Sequence, residues 1–182
     1  MGENKKVTEE GFISSFDEYS DVLFRHAVFR LSDRERAKDV VQDTFMKTWK
    51  FISEGGVIDE YRSFLYRVLN NLIIDEYRKK KTSSLDEILE SDHVQEGDFP
   101  ELVDLSHKDT VRSIDAEKVY DLLTHVPDQY AQVVTMRFID ELSPKEIAII
   151  TGESENVISV RLHRALKALK RVATEKQFIY EG

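Results

Sequence analysis

The stretch SPKEIAIITGESENVISVRLHRAL, from Ser143 to Leu166, constrains the fold most, because its punctuation admits little besides two short helices joined by a tight turn. Ser143 and Glu146 stand at capping-box spacing with Pro144 at the first helical position, so a helix begins there with its free N–H groups satisfied. Gly152 stops it just past Ile150, supplying left-handed geometry at no steric cost, and Ser154 can cap the next helix. This is the grammar of a helix-turn-helix. In the second helix Ile158, Leu162, Ala165 and Leu169 recur at three- and four-residue steps and face the protein. Glu155, Asn156, Ser159, Val160, His163, Arg164 and Lys167 are left on the other side. A face that is short-chained at its start and basic further along can enter the major groove, with Arg164 long enough for a bidentate contact to guanine. A solvated αα-hairpin is the alternative that this helix alone leaves open.

The remainder of the chain also reads as all-α. It has few glycines and prolines, abundant Leu, Ile, Glu, Lys and Arg, and no run of alternating β-branched residues. Phe12, Phe16, Tyr19, Leu23 and Ala27 fall at helical steps. Ser32 with Glu35 reads as a second capping-box start, for a helix whose inner stripe is Ala37, Val40, Val41, Thr44, Phe45, Thr48, Trp49 and Ile52. Asp39, Gln42, Asp43 and Lys47 stay outside it. After Glu54-Gly55-Gly56 a third helix runs from about Tyr61, with Phe64, Leu65, Val68, Leu69 and Leu72 inward, and closes in Arg78-Lys79-Lys80-Lys81. Past Val126-Pro127-Asp128, Tyr130, Val133, Val134 and Phe138 form one more helix ahead of the helix-turn-helix.

Three segments result: a helical unit over 1–81, an acidic linker over 82–114, and a four-helix unit over 115–182. The net charge of −9 conflicts with a nucleic-acid-binding task until its distribution is considered. Asp86, Glu87, Glu90, Asp92, Glu96, Asp98 and Glu101 crowd the linker, whereas the end of the third helix and the recognition helix are basic. A solvated acidic tether within reach of those faces would compete with DNA phosphates for them.

Cysteine is absent, which removes disulfides, thiolate metal sites and a Cys nucleophile, and fits a reducing cytoplasm. No apolar stretch approaches a membrane span, and the N-terminus lacks a signal-peptide core. The five histidines lie scattered without metal-ligand spacing and no Gly-rich phosphate loop occurs, so neither an enzyme, a metal nor a cofactor is expected. The rival within DNA binding is a stand-alone helix-turn-helix regulator. Such proteins commonly dimerise on paired half-sites, and no heptad seam is visible here.

Several motifs, in order, resemble one family, the bacterial extracytoplasmic-function sigma factors. Ala37-Lys38-Asp39-Val40-Val41-Gln42-Asp43-Thr44-Phe45 with Trp49 resembles "AxDlvQxxF…W", and Phe64 to Arg78 resembles "WLyriarNlaiDxxR". Val126-Pro127 through Phe138, Ser143 to Ile147, and Arg161-Leu162-His163-Arg164-Ala165 resemble "LPxxxrxvlxLry", "lsyxEIA" and "RlhRA". Phe64 stands where the family usually has Trp, and Asn156 to Val160 replaces the common "GTVKS". The resemblance implies a cytoplasmic initiation factor, monomeric when free, that binds the clamp coiled coil and flap of core RNA polymerase, promoter DNA and an anti-sigma factor. Asp39, Gln42, Asp43 and Phe45 would dock on the clamp. The loop Ser53–Asp59 with Arg67, Asn71, Asp75, Arg78 and Lys79 would hold the melted minus-ten strand, and the recognition helix would read the minus-35 duplex. Trp49 reads as core rather than as a stacking platform.

Overall fold

The computed structural model describes residues 2–83 and 116–180, and every element among them is helical. The chain divides into two compact units, the first built on α1–α3 and the second on α4–α7. The acidic linker expected over 82–114 lies almost wholly outside the described residues.

In the first unit α1 (Gly2–Leu31), α2 (Arg34–Ser53) and α3 (Tyr61–Ser83) pack around Leu23, Ala27, Val40, Phe45, Leu65, Leu69 and Ile73. The turn between α1 and α2 differs from expectation. Asp33, not Ser32, is the N-cap, its carboxylate accepting from the Arg36 N–H at 3.0 Å. Ser32 instead takes the left-handed conformation at φ 60 and closes α1, its N–H donating to the Val28 carbonyl. Two polar residues in succession could each cap, and the chain reversal decides between them. Along α2 the Thr44 and Thr48 hydroxyls are buried, each donating to the carbonyl four residues earlier at 2.8 Å, so the apolar stripe accommodates them without orphaned donors. At the start of α3 the Glu60 carboxylate accepts from the Arg62 and Ser63 N–H groups at 3.0 and 2.7 Å, placing negative charge at the helix N-terminus.

The end of α3 is fastened by neighbouring residues to two different helices. Tyr77 donates its hydroxyl to the Arg30 carbonyl of α1 and lies under the Arg30 guanidinium, 5.5 Å from ring centre. Glu76, buried, accepts from Arg36 of α2 at 2.5 Å and from Lys79 at 3.0 Å. Burial alone would raise the Glu76 carboxyl, but the hydrogen bonds and charges of Arg36 and Lys79 outweigh it and hold the group below the ordinary glutamate range. A depressed folded-state pKa stabilises above the unfolded value, about 4.3, and that contribution disappears as pH falls through the folded value. Thermal melts should therefore show Glu76→Gln less stable than wild type at pH 7, with the gap narrowing as pH falls below the ordinary glutamate range. A gap independent of pH would mean that side-chain shape, not charge, holds α2 to α3.

In the second unit α4 (Ala116–Leu123), α5 (Asp128–Val134), α6 (Pro144–Thr151) and α7 (Glu155–Tyr180) enclose Leu123, Val133, Met136, Ile147, Ile158 and Leu162. The helix expected through Phe138 is not regular. After Val134 the backbone widens into a π-helical turn, Thr135–Ile139, in which the Asp140 N–H reaches the Thr135 carbonyl at 3.0 Å. Leu142 N–H donates to the Met136 carbonyl at 2.9 Å, and Glu141 at φ 57 turns the chain toward α6. A side-chain ion pair between Lys176 and Asp121 ties the far part of α7 to α4.

Candidate polymerase and nucleic-acid surfaces

The helix-turn-helix forms by the devices its sequence carries. Ser143 N–H donates to the Glu146 carboxylate at 2.7 Å and Glu146 N–H to the Ser143 hydroxyl at 3.2 Å, a complete capping box. Gly152 sits at φ 75, and no atom lies near the position of an added Cβ, so its requirement is one of backbone alone. Both the Gly152 and Glu153 N–H groups donate to the Ala148 carbonyl, at 2.9 and 3.1 Å. Ser154 caps α7, accepting from the Val157 N–H at 3.3 Å.

On α7 Ile158, Leu162 and Ala165 are fully buried, while Glu155, Asn156 and Lys167 are exposed and Ser159, His163 and Arg164 partly so. The Ser159 hydroxyl donates to the Glu155 carbonyl at 3.0 Å. Val160 corrects the expectation. Placed on the outer side by phase from Ile158 and Leu162, it is only 9% exposed. An aliphatic group gives up no hydrogen bond when covered, so period alone does not settle the side of a lone valine.

On α3 the residues assigned to the melted strand form one stripe. Arg67, Asn71, Asp75 and Arg78 follow at steps of four, four and three, all exposed, with Lys79 exposed beside them. Arg78 faces Asp75 at 3.6 Å, with both side chains more than half exposed. A pair of this kind contributes little to stability and can exchange its carboxylate for a phosphate. The adjacent Asn70 is buried, so the helical phase separates two consecutive asparagines into one core and one surface residue.

On α2 Asp39, Gln42 and Asp43 are exposed. Phe45 is not: it is 5% exposed, with its ring 4.8 Å from Phe16 and 6.2 Å from Phe12. It seals α2 against α1 and is unavailable to a partner, which corrects its assignment to the clamp. Trp49 departs in the opposite sense, being 43% exposed and tilted over Phe12 at 5.1 Å. With Met46, 60% exposed, Trp49 continues the flank of Asp39, Gln42 and Asp43 at helical steps, so an acidic stretch runs into an apolar one on the same side of α2. Asp43 and Lys47 also share a groove between α2 and α3 with Asp75, Arg78 and Lys79, bringing together residues that sequence reasoning assigned to separate surfaces.

Among the described residues no cluster of three or more acidic or histidine side chains could hold a metal ion, and no helix is long and apolar enough to cross a membrane. Residues 16–82 match the family model "Sigma-70 region 2" and residues 116–169 match "Sigma-70, region 4". The ECF RNA polymerase sigma factor SigW of Bacillus subtilis is 28% identical over 92% of this chain and 91% of its own. The chain belongs to the sigma-70 family, in its extracytoplasmic-function group. A similar relative is the ECF RNA polymerase sigma factor SigL of Mycobacterium tuberculosis, 27% identical over 88% of this chain and 87% of that one. The fold recurs in the sigma factor RpoE solved with the anti-sigma factor NepR from Bartonella quintana, with TM-score 0.67, 20% identity, and 91% and 98% of the two chains covered. It recurs also in CnrH solved with the cytosolic domain of CnrY, with TM-score 0.66, 19% identity, and 95% and 94% covered. This sigma factor directs RNA polymerase to promoters; a stand-alone regulator would carry no region 2. Sigma factors are known as initiation factors without catalysis of their own.

Proposed function

We propose a residue-level division of labour for this sigma factor. The exposed flank of α2, from Asp39, Gln42 and Asp43 into Met46 and Trp49, docks on the clamp coiled coil of core polymerase. Acids and an amide leading into apolar groups suit a helical partner rich in arginine. The α3 stripe holds the melted minus-ten strand, with Asn71 meeting an unstacked base by both donor and acceptor, and Arg67, Arg78 and Lys79 following phosphates. Asp75 positions Arg78 in that stripe. Glu155, Asn156, Ser159, His163 and Arg164 face the minus-35 duplex, with Lys167 toward phosphate. The flap is the second unit's contact on polymerase, and the work is done in the cytoplasm without cofactor. As RpoE was solved with NepR, this protein too is restrained by an anti-sigma factor. The observation that carries the reading is that the exposed candidates on each of α2, α3 and α7 line up along one side of their own helix.

The recognition helix is tested by Arg164→Ala in the holoenzyme, measured on a panel of minus-35 duplexes. The substitution should cost roughly 1–3 kcal/mol and relax selectivity at one base pair. An equal loss on all sequences would demote Arg164 to a phosphate contact.

A further inference from the structure

Among the described cations of α7, Arg161 is the buried one, at 9% exposure, while Lys167, Lys170 and Arg171 stand in solvent. It is engaged by Glu153, a residue of the turn before the helix. Nη2 donates to Oε1 at 2.6 Å and Nη1 donates to Oε2, a two-pronged pair. Glu153 is itself held, since its N–H donates to the Ala148 carbonyl at the left-handed end of α6. The Arg161 Nε is buried with no acceptor among the described residues. A buried guanidinium left incompletely bonded stabilises a fold little, because its desolvation offsets what the pair contributes. The effect of the pair is instead on where the charge can go. Arg161 stands one turn before Arg164 on the same flank, so a released guanidinium would reach the phosphate row beside it. Such a contact is blind to sequence and strengthens correct and incorrect sites alike.

We propose that Glu153 is a specificity-determining residue of this sigma factor: by holding Arg161 through both carboxylate oxygens, it keeps that cation off the DNA. The proposal rests on the reading of α7 as the helix that meets the minus-35 duplex. One ionic contact fewer lowers the affinity for any duplex, and the base-reading groups then account for more of the difference between promoter and random DNA.

The experiment measures binding of the holoenzyme to a minus-35 duplex and to a scrambled duplex between 50 and 200 mM salt. Wild type is compared with Glu153→Ala, Glu153→Gln, Arg161→Met, the double variant Glu153→Ala/Arg161→Met, and Arg164→Ala. Freeing one guanidinium should steepen the slope of log affinity against log salt by about 0.9, a further fall of roughly 3- to 4-fold across that range. Scrambled DNA should be bound several-fold more tightly by Glu153→Ala at 50 mM salt, narrowing its gap from the minus-35 duplex. The double variant, with no guanidinium to release, should regain the wild-type slope, an outcome that mere loosening of the turn does not produce. Glu153→Gln keeps the side chain's size and should shift in the same direction by less, which preserves the test if the alanine variant folds poorly. Wild-type slopes in both Glu153 variants, or a steep slope persisting in the double variant, would overturn the proposal. Arg164→Ala separates the two levels: if it changes neither slope nor discrimination, the placement of α7 on DNA fails, and the role of Glu153 with it.

Discussion

Reversing Asp39 and Asp43 to arginine should lower affinity for core RNA polymerase by more than 100-fold while leaving the fold intact. Both side chains lie on the exposed flank of α2, and neither belongs to the core of Val40, Val41 and Phe45. Surface substitutions of this kind usually change stability by no more than about 0.5 kcal/mol. An interface that meets arginine with carboxylates is opposed by several kcal/mol when the sign is inverted, because like charges are then pressed together and desolvated. Exposed Met46 and Trp49 extend the same flank, so alanine at Trp49 should weaken docking without charge and with little dependence on salt. Fluorescence titration of labelled protein with core polymerase measures both. Affinity of the charge-reversed protein within a few-fold of wild type would remove α2 from the interface.

Much of the architecture was legible because its local devices are self-contained. The capping box at Ser143, the left-handed glycine at 152 and the break at Pro127 each act within a few residues, and each forms as its spacing requires. Where two local answers compete, or where the answer lies in another helix, the pattern is insufficient. Asp33 and Ser32 are both capping residues, and only the path of the chain out of α1 selects Asp33. Phe45 and Trp49 are both large aromatics at helical steps on α2. Four residues apart, they fall on one stripe by period, but α1 supplies Phe12 and Phe16 to cover Phe45 and leaves Trp49 half open. Glu76 with Arg36 joins residues forty apart, which no spacing rule anticipates. Glu153 and Arg161 are eight apart across a non-helical turn, so neither an i,i+4 pattern nor a motif marks them as partners. Thr135–Ile139 looks apolar enough for an ordinary helix, and its widened turn follows from the hydrogen bonds of Asp140 and Leu142 beyond it.

The melted strand offers the second large effect. Asn71→Ala should reduce open-complex formation about 5- to 150-fold, corresponding to roughly 1–3 kcal/mol for the loss of a two-pronged base contact. Upstream duplex binding by the holoenzyme should be unchanged. Asn71 lies in the exposed stripe between Arg67 and Asp75, where a strand following the cations would pass its carboxamide. Base extraction costs a few kcal/mol of unstacking, so an interaction available only to the extracted base acts on melting and not on the initial docking. Asn70 is the internal control. Because it is buried, Asn70→Ala should lower the melting temperature of the first unit, whereas Asn71→Ala should leave it within a degree or two. Permanganate footprinting on duplex promoters should show weaker reactivity for Asn71→Ala. On templates already melted across the minus-ten element, wild type should discriminate among bases at one position and the variant should not. If the variant discriminates as wild type does on the pre-melted template, the base is read elsewhere, and the α3 stripe is reduced to holding the phosphate backbone.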